Sequence, residues 1–133
     1  MRPRLGWWWL GLLLVLGAAP ACTAGPRPVV LGPDDYGAHL TLRPGQKVEV
    51  HLPANPTTGY TWTLAEADPA VLAAAAEPQY TPEAADRPGS GGVEVWTFEA
   101  QAPGTTVVRL IYHRPWEQDT PPAAIFQVTV TVR

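Results

Sequence analysis

Short runs of alternating apolar and polar residues recur along most of the chain. In residues 47–52 every second residue is apolar, and residues 126–132 repeat the pattern with Phe126 followed by three valines. Such two-residue alternation is typical of β-strands with one buried face. Similar runs lie at residues 29–31, 38–42, 60–64, 93–100 and 105–113. The pattern predicts an all-β sandwich or barrel of about seven to eight short strands, with no long helix.

One segment breaks the alternation. Residues 71–77 are alanine-rich and contain few strongly apolar side chains. They fit either a helical turn or a poor strand, and their intrinsic propensity favours a short helix. Pro78 and Pro82 bound the next stretch, which we expect to be extended.

The N-terminus has the pattern of a targeting segment. Arg2 and Arg4 precede an uncharged apolar run, and small residues follow it just before Cys22. We expect residues 1–21 to be a signal peptide, residues 22–28 a Pro- and Gly-containing tether, and residues 29–133 the working domain. A cysteine after small residues resembles a bacterial lipoprotein cleavage site, so one hypothesis is lipidation of Cys22 and anchoring in the cell envelope. Simple secretion is the other.

Composition excludes several classes of function. The chain has 133 residues, a formal net charge of −3 and 16% charged residues, which fits one domain without a basic surface for nucleic acid. A single cysteine excludes an internal disulfide. The histidines His39, His51 and His113 lack metal-ligand spacing. We therefore predict no metal site, no cofactor and no enzymatic activity.

The segment Asn55–Tyr60 lies between two predicted strands and has the composition of a stiff loop. Pro56 fixes its own φ and restricts Asn55, while Gly59 can adopt the positive φ of a sharp turn. The small hydroxyl residues Thr57 and Thr58 fall at the tip. A stiff, narrow loop loses little entropy on docking, so it suits a binding wedge. A purely structural turn is the alternative.

Two further connections have unusual composition, residues 87–92 and residues 114–122. The first is rich in glycine, and the second places Trp116 beside Pro115 in a polar loop. Trp and Arg are the residues most often found as interface anchors, although a loop tryptophan can also fold back on its own sandwich. The strand order allows both loops and the Asn55–Tyr60 loop to project from one end of the sandwich.

Taken together, the three loops resemble those of the chagasin family of cysteine protease inhibitors in order, spacing and residue type. The motifs are Asn55-Pro56-Thr57-Thr58-Gly59-Tyr60 followed by Trp62, Gly89-Ser90-Gly91-Gly92, and Tyr112-His113-Arg114-Pro115-Trp116-Glu117. The resemblance implies an immunoglobulin-like β-sandwich that inhibits papain-like proteases reversibly and non-covalently. An extra proline, Pro88, departs from the family pattern.

The resemblance also implies roles for the loops. Thr57 and Thr58 would lie over the catalytic cysteine of the protease, and residues 89–92 would form a flexible, strand-like arm along the non-primed side of its cleft. Trp116, held by Arg114 and Pro115, would pack on the primed side. We expect a monomer whose partner is a papain-family protease and whose only contact with a membrane is a lipid on Cys22. The alternative is a cell-envelope β-sandwich module that binds another protein or ligand.

Overall fold

The computed structural model describes residues 25–133, which form two β-sheets facing each other. The predicted signal peptide and Cys22 lie outside the described residues. Residues 25–28 are exposed and without regular secondary structure. The strands are β1 (Val29–Leu31), β2 (His39–Leu42), β3 (Lys47–Ala54), β4 (Thr61–Glu66), β5 (Leu72–Ala74), β6 (Gln79–Pro82), β7 (Gly92–Ala100), β8 (Gly104–His113) and β9 (Ala124–Val132). Short 3₁₀ turns cover Pro33–Asp35 and Pro56–Thr58.

The chain passes from one sheet to the other several times. One sheet has the order β1-β3-β7-β5, with β6 also paired to β7, and the other has the order β2-β9-β8-β4. β1 runs parallel to β3 and β2 parallel to β9, whereas the remaining pairs are antiparallel. The predicted all-β sandwich is confirmed, with slightly more strands than expected. No helix within residues 25–133 has the length and apolar character that crossing a membrane requires.

The core lies between the sheets and is built by the alternation that the sequence displays. Val48, Val50 and Leu52 of β3 point inward and are almost fully buried. They face the second sheet, where alternate residues of β8 and β9 are buried in the same way. Burying one such side chain stabilises the fold by roughly 1.5–3 kcal/mol.

The alanine-rich segment is a strand and not the short helix that its propensity favours. Leu72–Ala74 forms β5, which pairs with the end of β7 so that Leu72 lies opposite Ala100. Leu72 is almost completely buried, and this contact with a distant strand outweighs local helix propensity. Residues 79–82 are extended, as Pro78 and Pro82 predict.

Strand register brings the three loops to one end of the sandwich. Ala54, the last residue of β3, pairs with Gly92 at the start of β7, and Thr61 at the start of β4 pairs with His113. β9 begins opposite Tyr112. We call residues 55–60 the first loop, residues 83–91 the middle loop and residues 114–123 the third loop. The prediction that they share one end, the loop end, is confirmed.

Candidate functional site

The first loop has the backbone that its sequence predicts. Asn55 is extended, with φ −140° and ψ 91°, and Pro56–Thr58 forms a 3₁₀ turn. Gly59 ends the turn in the left-handed region at φ 81°, where residues with a Cβ are strained. The loop connects β3 of one sheet to β4 of the other, so it crosses the end of the sandwich.

The tip of this loop is held by its own hydrogen bonds. Asn55 Oδ1 accepts from the backbone N–H of Thr57 at 3.3 Å and from its Oγ1 at 2.5 Å. Thr58 Oγ1 donates to the carbonyl of Asn55 at 2.6 Å. Both threonine hydroxyls are therefore satisfied within the loop, and burying them against another protein leaves no donor unpaired.

Asn55 also joins the first loop to the middle loop. Its Nδ2 donates to the carbonyl of Gly89 at 3.0 Å, and its backbone N–H donates to Tyr112 Oη at 2.9 Å. A single asparagine thus contacts the middle loop with its side chain and β8 with its backbone.

The middle loop is a closed turn and not a free arm. The N–H of Glu83 donates to the carbonyl of Gly91 at 2.9 Å, and the N–H of Ser90 donates to Arg87 at 3.2 Å. Gly92, predicted as part of this loop, is the first residue of β7. A Cβ there would lie 2.8 Å from Cα of Pro82 and even closer to the neighbouring carbonyl, so only glycine fits between the two strands.

Arg114 joins the third loop to the first. Its Nε donates to the carbonyl of Thr58 at 3.1 Å, and its Nη1 forms an ion pair with Glu117 at 3.2 Å. The guanidinium carbon lies 4.5 Å from the centre of the Tyr60 ring. The planar guanidinium stacks on one residue while two of its nitrogens donate to two others. Lysine lacks this planar shape.

Trp116 stands on Gly59 and remains open to solvent. Trp116 is 67% exposed, so its indole is not buried beneath the strands of the sandwich. A Cβ added at Gly59 would lie 3.1 Å from Cζ2 of the indole and would overlap Cη2. Gly59 therefore serves two purposes. It permits the turn, and because it lacks a Cβ it lets the indole pack against its backbone.

An aromatic stack supports these loops from below. The Tyr112 ring lies between Tyr60 and Trp62, with ring centroids 5.3 and 4.9 Å apart. Trp62 is buried and donates from Nε1 to the carbonyl of Pro53 at 3.0 Å. Tyr60, predicted as a contact residue, is half-buried between Arg114 on one side and Tyr112 on the other.

Two residues have roles in the site that the sequence reasoning did not assign. Tyr112 and Glu117 belong to the third motif, but Tyr112 was placed only on a strand face and Glu117 only in a loop, yet they hold Asn55 and Arg114 in place. The spacing of Arg114 and Glu117, three residues apart in a turn, is a signal of such a pair. For Tyr112 the motif marks the residue but not its partner, which is 57 residues away.

The strands outside the three loops carry a partly buried carboxyl and three histidines. Burial raises the pKa of Glu94 above its ordinary value of 4.5, although a hydrogen bond from Trp96 opposes the shift. Each histidine is bonded to a polar neighbour, His39 to Thr131, His51 to Glu49 and His113 to Thr63. In residues 25–133 no three His, Cys, Asp or Glu side chains are grouped as metal ligands. The arrangement is suited to steric contact.

Comparisons with known proteins agree with this geometry. The model of the family described as "Chagasin family peptidase inhibitor I42" matches residues 41–130. Chagasin from Trypanosoma cruzi is 39% identical over 83 residues, which cover 60% of this chain and 76% of that protein.

Solved structures share the fold. The cysteine protease inhibitor EhICP2 from Entamoeba histolytica superposes with a TM-score of 0.71 at 23% identity, covering 82% of this chain and all of that one. PbICP-C, whose structure was solved in complex with falcipain-2, superposes with a TM-score of 0.54 at 18% identity, covering 81% of this chain and all of that one. These likenesses confirm the immunoglobulin-like sandwich.

Proposed function

The chain belongs to the chagasin family of peptidase inhibitors, and we propose that it inhibits papain-like cysteine proteases by filling their cleft with the three loops of the loop end. Members of this family are inhibitors and not enzymes, as the sequence predicts. The observation that carries the proposal is the joining of the loops into one surface. Asn55 contacts Gly89, and Arg114 contacts Thr58, at 3.0 and 3.1 Å.

The first loop is the central wedge, with Thr57 and Thr58 directed at the catalytic cysteine of the protease. Its 3₁₀ turn is closed by bonds from Thr58 N–H to Asn55 and from Gly59 N–H to Pro56, at 3.2 and 3.1 Å. A substrate binds to a protease in an extended conformation, which this turn cannot adopt without losing those bonds. Inhibition is therefore steric and reversible, with no covalent step.

Trp116 and the middle loop flank the wedge. An indole that is exposed in the free protein and packed against Gly59 is a typical interface anchor. We assign it to the primed side of the cleft, with Arg114 and Pro115 behind it. The segment Gly89–Gly91, with Ser90 at its centre, lies on the non-primed side. PbICP-C has the same fold as this chain, and its complex with falcipain-2 supports a papain-like partner for the chain.

The experiment is a titration of papain and a cathepsin with purified domain, followed with a fluorogenic peptide. Dose-dependent loss of activity that returns on dilution supports the proposal. Intact inhibitor after prolonged incubation, measured by mass spectrometry, supports the steric mechanism. Absence of inhibition for several papain-like proteases would instead favour a cell-envelope module that binds another ligand.

We also propose that the protein is exported and anchored through a lipid on Cys22. The composition of residues 1–21 supports export. The fold is compatible with an anchor, because β1 is parallel to β3 and begins beside Val48, about 20 Å from Ala54 at the loop end. The tether therefore enters at the end opposite the loops. Mass measurement of the native N-terminus tests this, since an unmodified cysteine would indicate simple secretion and an intact Met1 would exclude cleavage.

A further inference from the structure

The side chain of Arg114 makes three contacts within the free protein. Its Nε, its Nη1 and the face of its guanidinium contact Thr58, Glu117 and Tyr60. Its side chain is 35% exposed, much less than the neighbouring indole. Its Nε, one N–H of its Nη1 and one face of its planar group are thus occupied before any partner binds.

Arg114 also begins the turn that carries Trp116. The N–H of Glu117 donates to the carbonyl of Arg114 at 3.0 Å and closes residues 114–117. The same arginine reaches the carbonyl of Thr58 in the first loop. One residue thus fixes the distance between the threonine tip and the indole, through a hydrogen bond that joins positions 56 residues apart in sequence.

From these contacts we infer that Arg114 is a positioning residue that locks the indole of Trp116 onto Gly59 before the protease arrives, and that it does not itself bind the protease. This inference rests on the proposed function and assigns the specific role of one residue in it. A locked indole avoids the entropy loss of ordering a mobile side chain on binding. Removing Arg114 therefore weakens inhibition through Trp116.

A double-mutant cycle separates positioning from direct contact. We expect Arg114→Ala to weaken inhibition of papain by about tenfold in the wild-type background, but by less than about threefold in a Trp116→Ala background. If the two losses multiply, Arg114 acts independently of the indole and the inference is wrong. An unchanged inhibition constant for Arg114→Ala alone would overturn it equally.

Arg114→Lys tests whether charge is sufficient. Lysine keeps the positive charge but cannot donate to Thr58 and Glu117 with one planar group. We expect most of the loss seen with Arg114→Ala to remain. Full recovery by lysine would indicate a simple electrostatic role and contradict the inference.

Arg109 offers a matched control within the same protein. Its Nε donates to Gln127 at 2.8 Å and its Nη1 pairs with Glu66 at 3.1 Å, on a surface away from the loops. Its exposure, 40% of the side chain, is close to that of Arg114. Arg109→Ala should leave the inhibition constant within about twofold of wild type.

A measurement on the free protein keeps this inference distinct from the proposed function. Nuclear magnetic resonance relaxation of the Trp116 indole N–H should show a rigid ring in wild type and a mobile ring in Arg114→Ala. An equally rigid ring in both would overturn the inference even where inhibition falls. Absence of inhibition by the wild-type protein would overturn the proposed function, while the relaxation data would still decide the role of Arg114.

Discussion

The two ends of this sandwich are held together in different ways. At the end opposite the loops, connections are joined by backbone hydrogen bonds, such as those from Gly45 N–H to Ala100 and from Gln101 N–H to Val71, both 2.8 Å. At the loop end, the joining groups are the side chains of Asn55 and Arg114. At the opposite end one side chain contributes as well, since Thr106 Oγ1 accepts from the N–H of Asp68 at 2.8 Å, but the bonds between different loops at the loop end come from Asn55 and Arg114.

This difference explains where the recognisable motifs lie. A backbone bond survives most substitutions because every residue except proline supplies the same N–H and carbonyl groups. A side-chain bond is lost when its residue changes. The loop end must therefore keep its asparagine, glycine and arginine to keep its shape, whereas the opposite end depends on fewer particular residues, among them Gly104, where a Cβ would lie 2.7 Å from a methyl group of Val71.

The largest expected effect sharpens this separation by removing core from the opposite end. Leu72→Ala deletes a buried side chain beside Ala100 and should lower the free energy of unfolding by about 3 kcal/mol. Denaturant titration measures the loss. Below the unfolding transition the inhibition constant should be unchanged, and a parallel loss of inhibition would show that the two ends are coupled.

A change at the threonine tip should break function without affecting the fold. Thr58→Tyr places a bulky ring on the wedge, and we expect inhibition of papain to weaken by about a hundredfold because the cleft is narrow. Thr58→Ser is the matched control, since serine retains a hydroxyl that can donate to Asn55. Equal inhibition by the tyrosine variant would mean that the loop does not enter the cleft.

Removing the exposed indole should have a somewhat smaller effect. Trp116→Ala should cost about 2 kcal/mol of binding, or about thirtyfold in the inhibition constant. Its effect on unfolding should stay within about 0.5 kcal/mol because the residue is 67% exposed. Inhibition kinetics and thermal melts measure the two. A large drop in melting temperature with intact inhibition would assign Trp116 to the fold.

The smallest effect concerns a partly buried carboxyl on the inner face of β7. Burial raises the pKa of Glu94 in the folded state, so its protonated form favours folding. This stabilising contribution is complete below the unfolded pKa near 4.5 and is lost as pH rises through the folded pKa. Glu94→Gln keeps an oxygen for the Trp96 N–H and should raise the melting temperature at pH 7 but not at pH 4.

Glu99→Gln on the outward face of the same strand removes an equal charge and serves as the control. It should not reproduce this dependence on pH. A Glu94→Gln variant that is no more stable than wild type at pH 7 would contradict the proposed cost of burying the charge.

Local features of the sequence could be predicted well. The strands at residues 47–52 and 126–132 follow from alternation alone, since side chains of a strand point to opposite faces in turn. The bend of the first loop follows from Pro56 and Gly59, whose backbone preferences are intrinsic. The resemblance of the three loops to chagasin depends on these same local residues.

Features that depend on distant partners could not be predicted from their own residues. Leu72–Ala74 is a strand because β7 lies beside it, although its alanines favour helix. The sequence allowed Trp116 to be either an exposed anchor or a side chain folded back on the sandwich. In the structure its indole packs against Gly59, which has no Cβ to displace it. The contacts of Tyr112 with Asn55 and with the aromatic stack likewise depend on partners far away in sequence.

The sequence by itself determined most of the strands, the turns, the shape of the first loop and the family, because each depends on residues close together in the chain. Only the tertiary structure decided which strands share a sheet, the parallel pairing of β1 with β3, and the bonds that join the loops. Those bonds link residues 34 and 56 positions apart, Asn55 with Gly89 and Arg114 with Thr58. Their formation requires strand registers that bring both partners to one end, and no local preference encodes such registers.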